Sequence, residues 1–95
     1  MIVVRQTEKF TEWLLRLRDV NGRARIVARI ARLRHGNFGD AKFFDGIGEL
    51  RIDSGPGYRV YFVKRGAMIV ILLCGGDKSS QSRDVAEAKR IAETV

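Results

Sequence analysis

The sequence predicts an α+β fold with the element order β-α-α-β-β-β-α. Two N-terminal helices pack on an antiparallel sheet, and a C-terminal helix follows it. Two observations predict this. Apolar residues recur at a helical period of about 3.6 between Thr7 and Arg34 and again between Ser82 and Thr94. Between them, Glu49 to Cys74 alternates or is continuously apolar, as strands do. Strands that run together, rather than alternating with helices, imply helices packed on one face of the sheet.

The 95 residues suit one domain, 1–95, that buries about two-thirds of the surface its unfolded chain exposes. A hydrophobic content of 45% with 31% charged residues excludes a disordered chain. The single cysteine, Cys74, excludes an internal disulfide and fits a reducing, cytoplasmic setting. The N-terminus leads into an amphipathic segment rather than a secretory apolar stretch. The longest apolar run, Ala67 to Cys74, is too short to cross a membrane. A formal charge of +7 draws such a domain to a phosphate backbone or an acidic protein partner.

Ile2 to Arg5 is short, apolar and β-branched, a first strand. Thr7 offers an N-cap to a helix whose buried stripe is Phe10, Trp13, Leu14 and Leu17. Asp19-Val-Asn-Gly22 breaks that helix, and a second runs from about Arg23 to Arg34, stopped at Gly36. Wound at about 100° per residue, the second helix shows three faces. Ile26, Val27, Ile30 and Leu33 are apolar. Ala24, Ala28 and Ala31 form a slim face able to lie close against another element, and Arg25, Arg29 and Arg32 form a solvated basic stripe. Asn37 to Gly46 reads as a loop anchored by Phe38, Phe43 and Phe44.

Three strands follow. Glu49 to Asp53 and Tyr58 to Val63 alternate and are joined by the turn Ser54-Gly-Pro-Gly57. Met68 to Cys74 is apolar throughout, as a central strand covered on both faces would be. Gly75-Gly-Asp-Lys-Ser-Ser80 is a flexible connection to the last helix, whose inner side is Val85, Ala88, Ile91, Ala92 and Val95.

If Leu50 and Ile52 share the core with Val60 and Phe62, then Arg51, Arg59 and Tyr61 share the opposite, open face. One register opposes Arg51 to Arg59; the other opposes Arg51 to Tyr61 and Asp53 to Arg59. In both, two guanidinium groups lie within about 8 Å, a repulsive pairing that an anion between them would relieve. A ladder in which Glu49 and Asp53 neutralise the arginines is the competing arrangement. Lys78 stands at the edge of this face, in a loop whose glycines permit close backbone approach. That loop lacks the spacing of a Walker motif. His35 suits a helix-end cation, one Cys and one His make no usual zinc site, and no serine has a histidine partner for a triad. Cys74, at the end of a buried strand, reads as inert.

Gly48-Glu-Leu-Arg-Ile52, Gly55-Pro-Gly-Tyr-Arg-Val-Tyr-Phe62, Leu72-Leu-Cys-Gly-Gly-Asp-Lys-Ser-Ser80 and Ala88-Lys-Arg-Ile-Ala92 together resemble a known family. It is the phage-derived, HigB-like "addiction module killer" proteins of the RelE/ParE toxin superfamily. The resemblance implies a RelE-like fold and the toxin half of a type II toxin–antitoxin pair. It implies an mRNA endonuclease acting on the ribosome, silenced by a cognate antitoxin, an adjacently encoded helix-turn-helix protein. It also implies metal-independent cleavage without a cofactor. The arginine of the family's Tyr-Arg motif falls on Arg59, the basic residue of the preceding strand on Arg51, and the basic residue after the central strand on Lys78. RelE's second strand lysine and last-helix tyrosine fall on Asp53 and Asp84, a departure that leaves the acid and base open.

Within that chemistry Arg51, Arg59 and Lys78 suit charge stabilisation. Asp84 is the candidate base, and Tyr61 the residue to stack on a splayed base or to position the 2′-OH. The alternative class is the ParE branch, which inhibits DNA gyrase by binding and cuts no RNA.

Overall fold

The computed structural model describes all 95 residues. Chain order runs β1 (Val3–Gln6), α1 (Glu8–Arg16), α2 (Val20–Arg34), β2 (Ala41–Phe44), β3 (Ile47–Ile52), β4 (Tyr58–Arg65) and β5 (Ile69–Asp77). A single 3₁₀ turn, Lys78–Ser80, then leads into α3 (Gln81–Ala92). The α+β class stands, with one more strand than the alternation implies.

The added strand is β2, in the segment expected to be a loop. It pairs antiparallel with β3, Ala41 opposite Leu50 and Phe44 opposite Ile47. Asp45 and Gly46 close the hairpin, both at positive φ (51° and 80°), as a two-residue hairpin turn demands. Asp-Gly was the legible signal; the short, weakly alternating Ala-Lys-Phe-Phe run hid it.

The sheet order is β1-β5-β4-β3-β2, and β1 lies parallel to β5, so the sheet is mixed rather than wholly antiparallel. Hairpin turns oblige β2 to β5 to alternate in direction. β1 reaches β5 only after the whole chain between them, and its direction is free of that constraint.

The helix starts follow from side-chain caps. Thr7 accepts a hydrogen bond from the Phe10 amide, and Asp19 accepts one from the Gly22 amide. The break between the helices therefore ends at Asp19, the cap, and Val20-Asn-Gly22 is the first turn of α2, which moves its start from about Arg23 to Val20. Glycine is needed at position 22 because a Cβ there would lie 2.5 Å from the Tyr58 ring.

Two apolar clusters flank the sheet. Leu50, Ile52, Tyr58, Val60, Phe62, Val70 and Leu72 face Phe10, Ile26, Ile30 and Leu33 of α1 and α2. Ile47, Tyr61, Val63, Leu73 and Cys74 face Ala88 and Ile91 of α3. The helices thus cover both faces, where one face was expected. The last helix packs through Ala88 and Ile91, with Val85 and Ala92 half-buried and Val95 exposed. On α2, Val27 and the three alanines are exposed, and Arg29 turns inward instead of joining a solvated stripe.

Candidate functional site

The β3–β4 register opposes Arg51 to Arg59 and Glu49 to Tyr61, which selects the first of the two pairings the parity allowed. All four side chains project to the α3 side of the sheet. Beyond the N-terminal end of α3 that side is left open, and Arg51, Arg59, Asp40, Asp53, Gly57 and Lys78 line a cleft of about 350 Å³. The positive φ of Gly57 (81°) bends the turn back, and a Cβ there would sit 3.0 Å from Lys78 Cδ and 3.5 Å from Arg59 Nη1. The bare glycine lets both cations close over one spot.

The arginines are held differently. Arg51 is half-exposed and forks onto Asp40 Oδ1 through Nε (3.2 Å) and Nη2 (2.9 Å). Asp40 is itself placed by Arg29, a buried side chain of α2 missed as a functional support. Its Nη1 donates to the Arg51 carbonyl at 2.6 Å, and its Nη2 donates to the Phe38 and Asp40 carbonyls at 3.0 Å each. Burial lowers the Arg29 pKa, yet three carbonyls solvate its charge.

Arg59 is 8% exposed and has no carboxylate partner. Its Nη1 donates to the Gly57 and Tyr58 carbonyls at 3.2 and 3.1 Å, while Nε is buried with nothing to donate to. A guanidinium on the wall of a cationic cleft, with one N–H unmatched and no carboxylate beside it, suits an anionic ligand.

In the competing ladder arrangement Glu49 would lie at the surface beside Asp53. It is instead 2% exposed, and its Oε2 accepts from Gln81 Nε2 of α3 at 2.9 Å. It lines a second depression, about 560 Å³, with Lys42, Ser79 and Gln81, and this depression shares Lys78 with the cleft. Alternation put Glu49 on the right face. What the sequence hid was that α3 would cover it.

Two expected site residues adjoin the cleft without lining it: Tyr61, opposite Glu49, and Asp84, over the Gly76 position opposite Arg59. Tyr61 is fully buried in the α3-side cluster, so it has no surface on which a base could stack. Its hydroxyl has no hydrogen-bond partner, and burial together with the nearby Glu49 carboxylate raises its pKa. Alternation correctly assigned its face, but that face is core at this position. Asp84 lies in the first turn of α3, above Gly76, where its Oδ2 accepts from Ser80 Oγ at 2.5 Å. It lines a separate groove with Lys9, Trp13, Cys74 and Arg83; the nearest cation, Arg83 Nε, is 3.9 Å away. Cys74 is buried, and burial with nearby Asp84 pushes its thiol up to about 12, as an inert core residue requires. The segment expected to be a flexible connection is ordered. β5 runs through Asp77, which caps the 3₁₀ turn by accepting from the Ser79 amide at 2.8 Å.

A small mixed sheet with a cationic cleft beside its C-terminal helix fits the class of small basic toxins that the sequence resembles. The chain belongs to the phage-derived Gp49-like family, described as "Phage derived protein Gp49-like", which it matches over residues 12–95. That family is associated with toxin–antitoxin modules, which brings an antitoxin as the expected partner. The chain is also 52% identical over 95 residues to an uncharacterized protein of Haemophilus influenzae, a match covering 99% of this chain and 96% of the relative. No solved structure matches it significantly. No helix is long and apolar enough to cross a membrane.

Proposed function

We propose that this protein is the toxin of a type II toxin–antitoxin pair and that its cleft cuts mRNA, on the ribosome and in the cytoplasm. A helix-turn-helix antitoxin encoded beside it would be its silencing partner. The observation that carries the reading is Arg59, a buried guanidinium with an unmatched Nε, paired across the hairpin with Arg51 and roofed by Lys78.

Such a site suits a scissile phosphate. The substrate 2′-OH attacks the adjacent phosphorus, the P–O5′ bond breaks, and the departing O5′ takes a proton from solvent water in the open cleft, leaving a 2′,3′-cyclic phosphate and a 5′-OH. Arg51 and Arg59 stabilise the added negative charge on the non-bridging oxygens. The proton leaving the 2′-OH needs an acceptor. Two carboxylates are placed to take it: Glu49, oriented by Gln81 in the depression that shares Lys78 with the cleft, and Asp84, over the Gly76 position opposite Arg59.

The test is expression without an antitoxin, followed by mapping of mRNA 5′ ends, for the natural chain and for Arg59→Ala and Arg51→Ala. The natural chain should arrest growth and leave ribosome-phased cuts; each substitution should abolish both while the fold remains. Growth arrest with intact mRNA and damaged DNA would assign the ParE-like action instead. Retained toxicity in a folded double variant would remove the cleft from the mechanism.

A further inference from the structure

The outer face of α2 has no role in the cleft and no partner within the chain. Between Asp19 and Asp40 the sequence holds five arginines and no carboxylate. One of these, Arg29, is consumed internally; Arg25, Arg32 and Arg34 are exposed and Arg23 half-buried. None of the four makes an ion pair.

Between these arginines runs an apolar line. Val20, Ala24, Val27 and Ala31 are all exposed, Val20 at 68% and Val27 at 50%. Their spacing of four, three and four residues is the a/d spacing of a helix that packs along another helix. At about 100° per residue the four fall within a sector of about 60°. Arg23 and Arg34 border it on one side, and Arg25 and Arg32 lie beyond Ala28 on the other. These are the positions where flanking charges select a partner helix.

The geometry points to this face as a docking seam for an amphipathic helix of a partner protein, apolar along its contact line and acidic on both flanks. Two other occupants fit less well. A nucleic acid would use the arginines but leave two exposed valines and the two seam alanines without a partner. A second copy of the chain would set arginine fringe against arginine fringe. Alanine at alternate seam positions lets a partner helix approach to about 8 Å, the close end of helix–helix packing. Because α2 lies on the opposite side of the sheet from α3, a helix seated here leaves the cleft uncovered. The inference stands independently of what the cleft does.

The test uses the full-length chain, isotope-labelled for NMR, and three probes. Two are synthetic helical peptides of about three heptads with Leu at a and d, one flanked by Glu and the other by Lys. The third is a single-stranded RNA oligonucleotide. The Glu-flanked peptide should bind saturably and shift the amides of Val20, Ala24, Val27 and Ala31. Val27→Glu should weaken it by about tenfold or more, as a like charge placed in the seam does. Arg25→Glu with Arg32→Glu should transfer preference to the Lys-flanked peptide. Ala24→Glu gives an independent seam variant should Val27→Glu lower the melting temperature. The proposal is overturned by absence of saturable peptide binding, by shifts confined to the cleft, or by an unchanged affinity in both seam variants. RNA that binds α2 with equal affinity in the natural chain and in the seam variants would overturn it in favour of a nucleic-acid face.

Discussion

The sheet face under α1 and α2 holds eleven buried core residues, and the face under α3 holds seven. Both unsatisfied buried side-chain atoms, Arg59 Nε and Tyr61 Oη, belong to the second face. One side of the same five strands is closed as a core; the other begins as a core and ends as a cleft. α3 is twelve residues long and packs through Ala88 and Ile91, so the β3–β4 hairpin beyond its first turn is uncovered. There Arg51 and Arg59, with Glu49 beside them under the start of α3, occupy positions that apolar residues hold on the other face. Burying such groups with unmatched hydrogen bonds costs stability, and a chain with 25 buried residues has little to spare. Departures from good packing that concentrate in one cleft mark a working surface.

Truncation on the closed face should have the largest effect. Phe62 is fully buried among Phe38, Phe43 and the central strands, and its ring fills the space that Gly48 leaves bare. Phe62→Ala should cost about 3–5 kcal/mol in urea unfolding. A cost below about 1 kcal/mol would mean that this face is not the main core. Next, Arg59→Met should reduce RNA cleavage by about a hundredfold or more, as removal of a charge-stabilising donor does. Its thermal stability should hold or rise, since the substitution removes a buried unmatched N–H. Loss of both fold and activity would make Arg59 structural and erase the contrast between the faces.

A smaller effect separates core from cleft on the α3 side itself. Tyr61→Phe removes a hydroxyl without a partner and should raise stability by up to about 1 kcal/mol. Cleavage should stay close to that of the natural chain because the ring is sealed below α3. A hundredfold loss of activity at unchanged stability would put Tyr61 back in the chemistry.

The contrast between faces also sorts what the sequence could disclose. Period-two alternation in Glu49–Asp53 and Tyr58–Val63 fixed which residues share a side, and the pairing of Arg51 with Arg59 was one of two registers parity allowed. Alternation assigns a side and not its cover. Tyr61, Glu49 and Arg59 read alike as outward residues, and only the placement of α3 makes one core, one a shielded carboxylate and one a cleft wall. For Asp84 the position in the last helix was legible but not its company: its carboxyl stands over Gly76, opposite Arg59 across β4 and β5, and accepts from Ser80 Oγ instead of pairing with an arginine of the cleft. Arg29 was read as a surface charge because helical periodicity cannot foresee two carbonyls of a neighbouring loop and one of β3 converging on it. β1 beside β5 is a contact between chain ends, set by packing that no local pattern records.

The smallest expected effect lies at a joint of the closed face and appears only as a pH dependence. Tyr58 Oη donates to Asp19 Oδ2 at 2.8 Å, tying the α2 cap to the start of β4. The Gly22 amide and the Tyr58 hydroxyl hold the Asp19 carboxyl below its ordinary value. Its contribution is therefore present above the unfolded pKa of about 3.9 and is lost as pH falls through the lower folded value. Burial and the Asp19 contact push the Tyr58 phenol up to about 12. That contribution is present below the unfolded value of about 10 and is lost as pH rises through the folded one. Asp77 and Glu87 are also lowered, Glu87 to about 2, so acid unfolding of the whole chain does not isolate this joint. The difference in melting temperature between the natural chain and Asp19→Asn does. It should be largest near neutral pH and shrink between about pH 5 and about pH 2 as the natural carboxyl takes up its proton. A difference that stays constant through that range would show that the cap, and not the charge, is what Asp19 supplies.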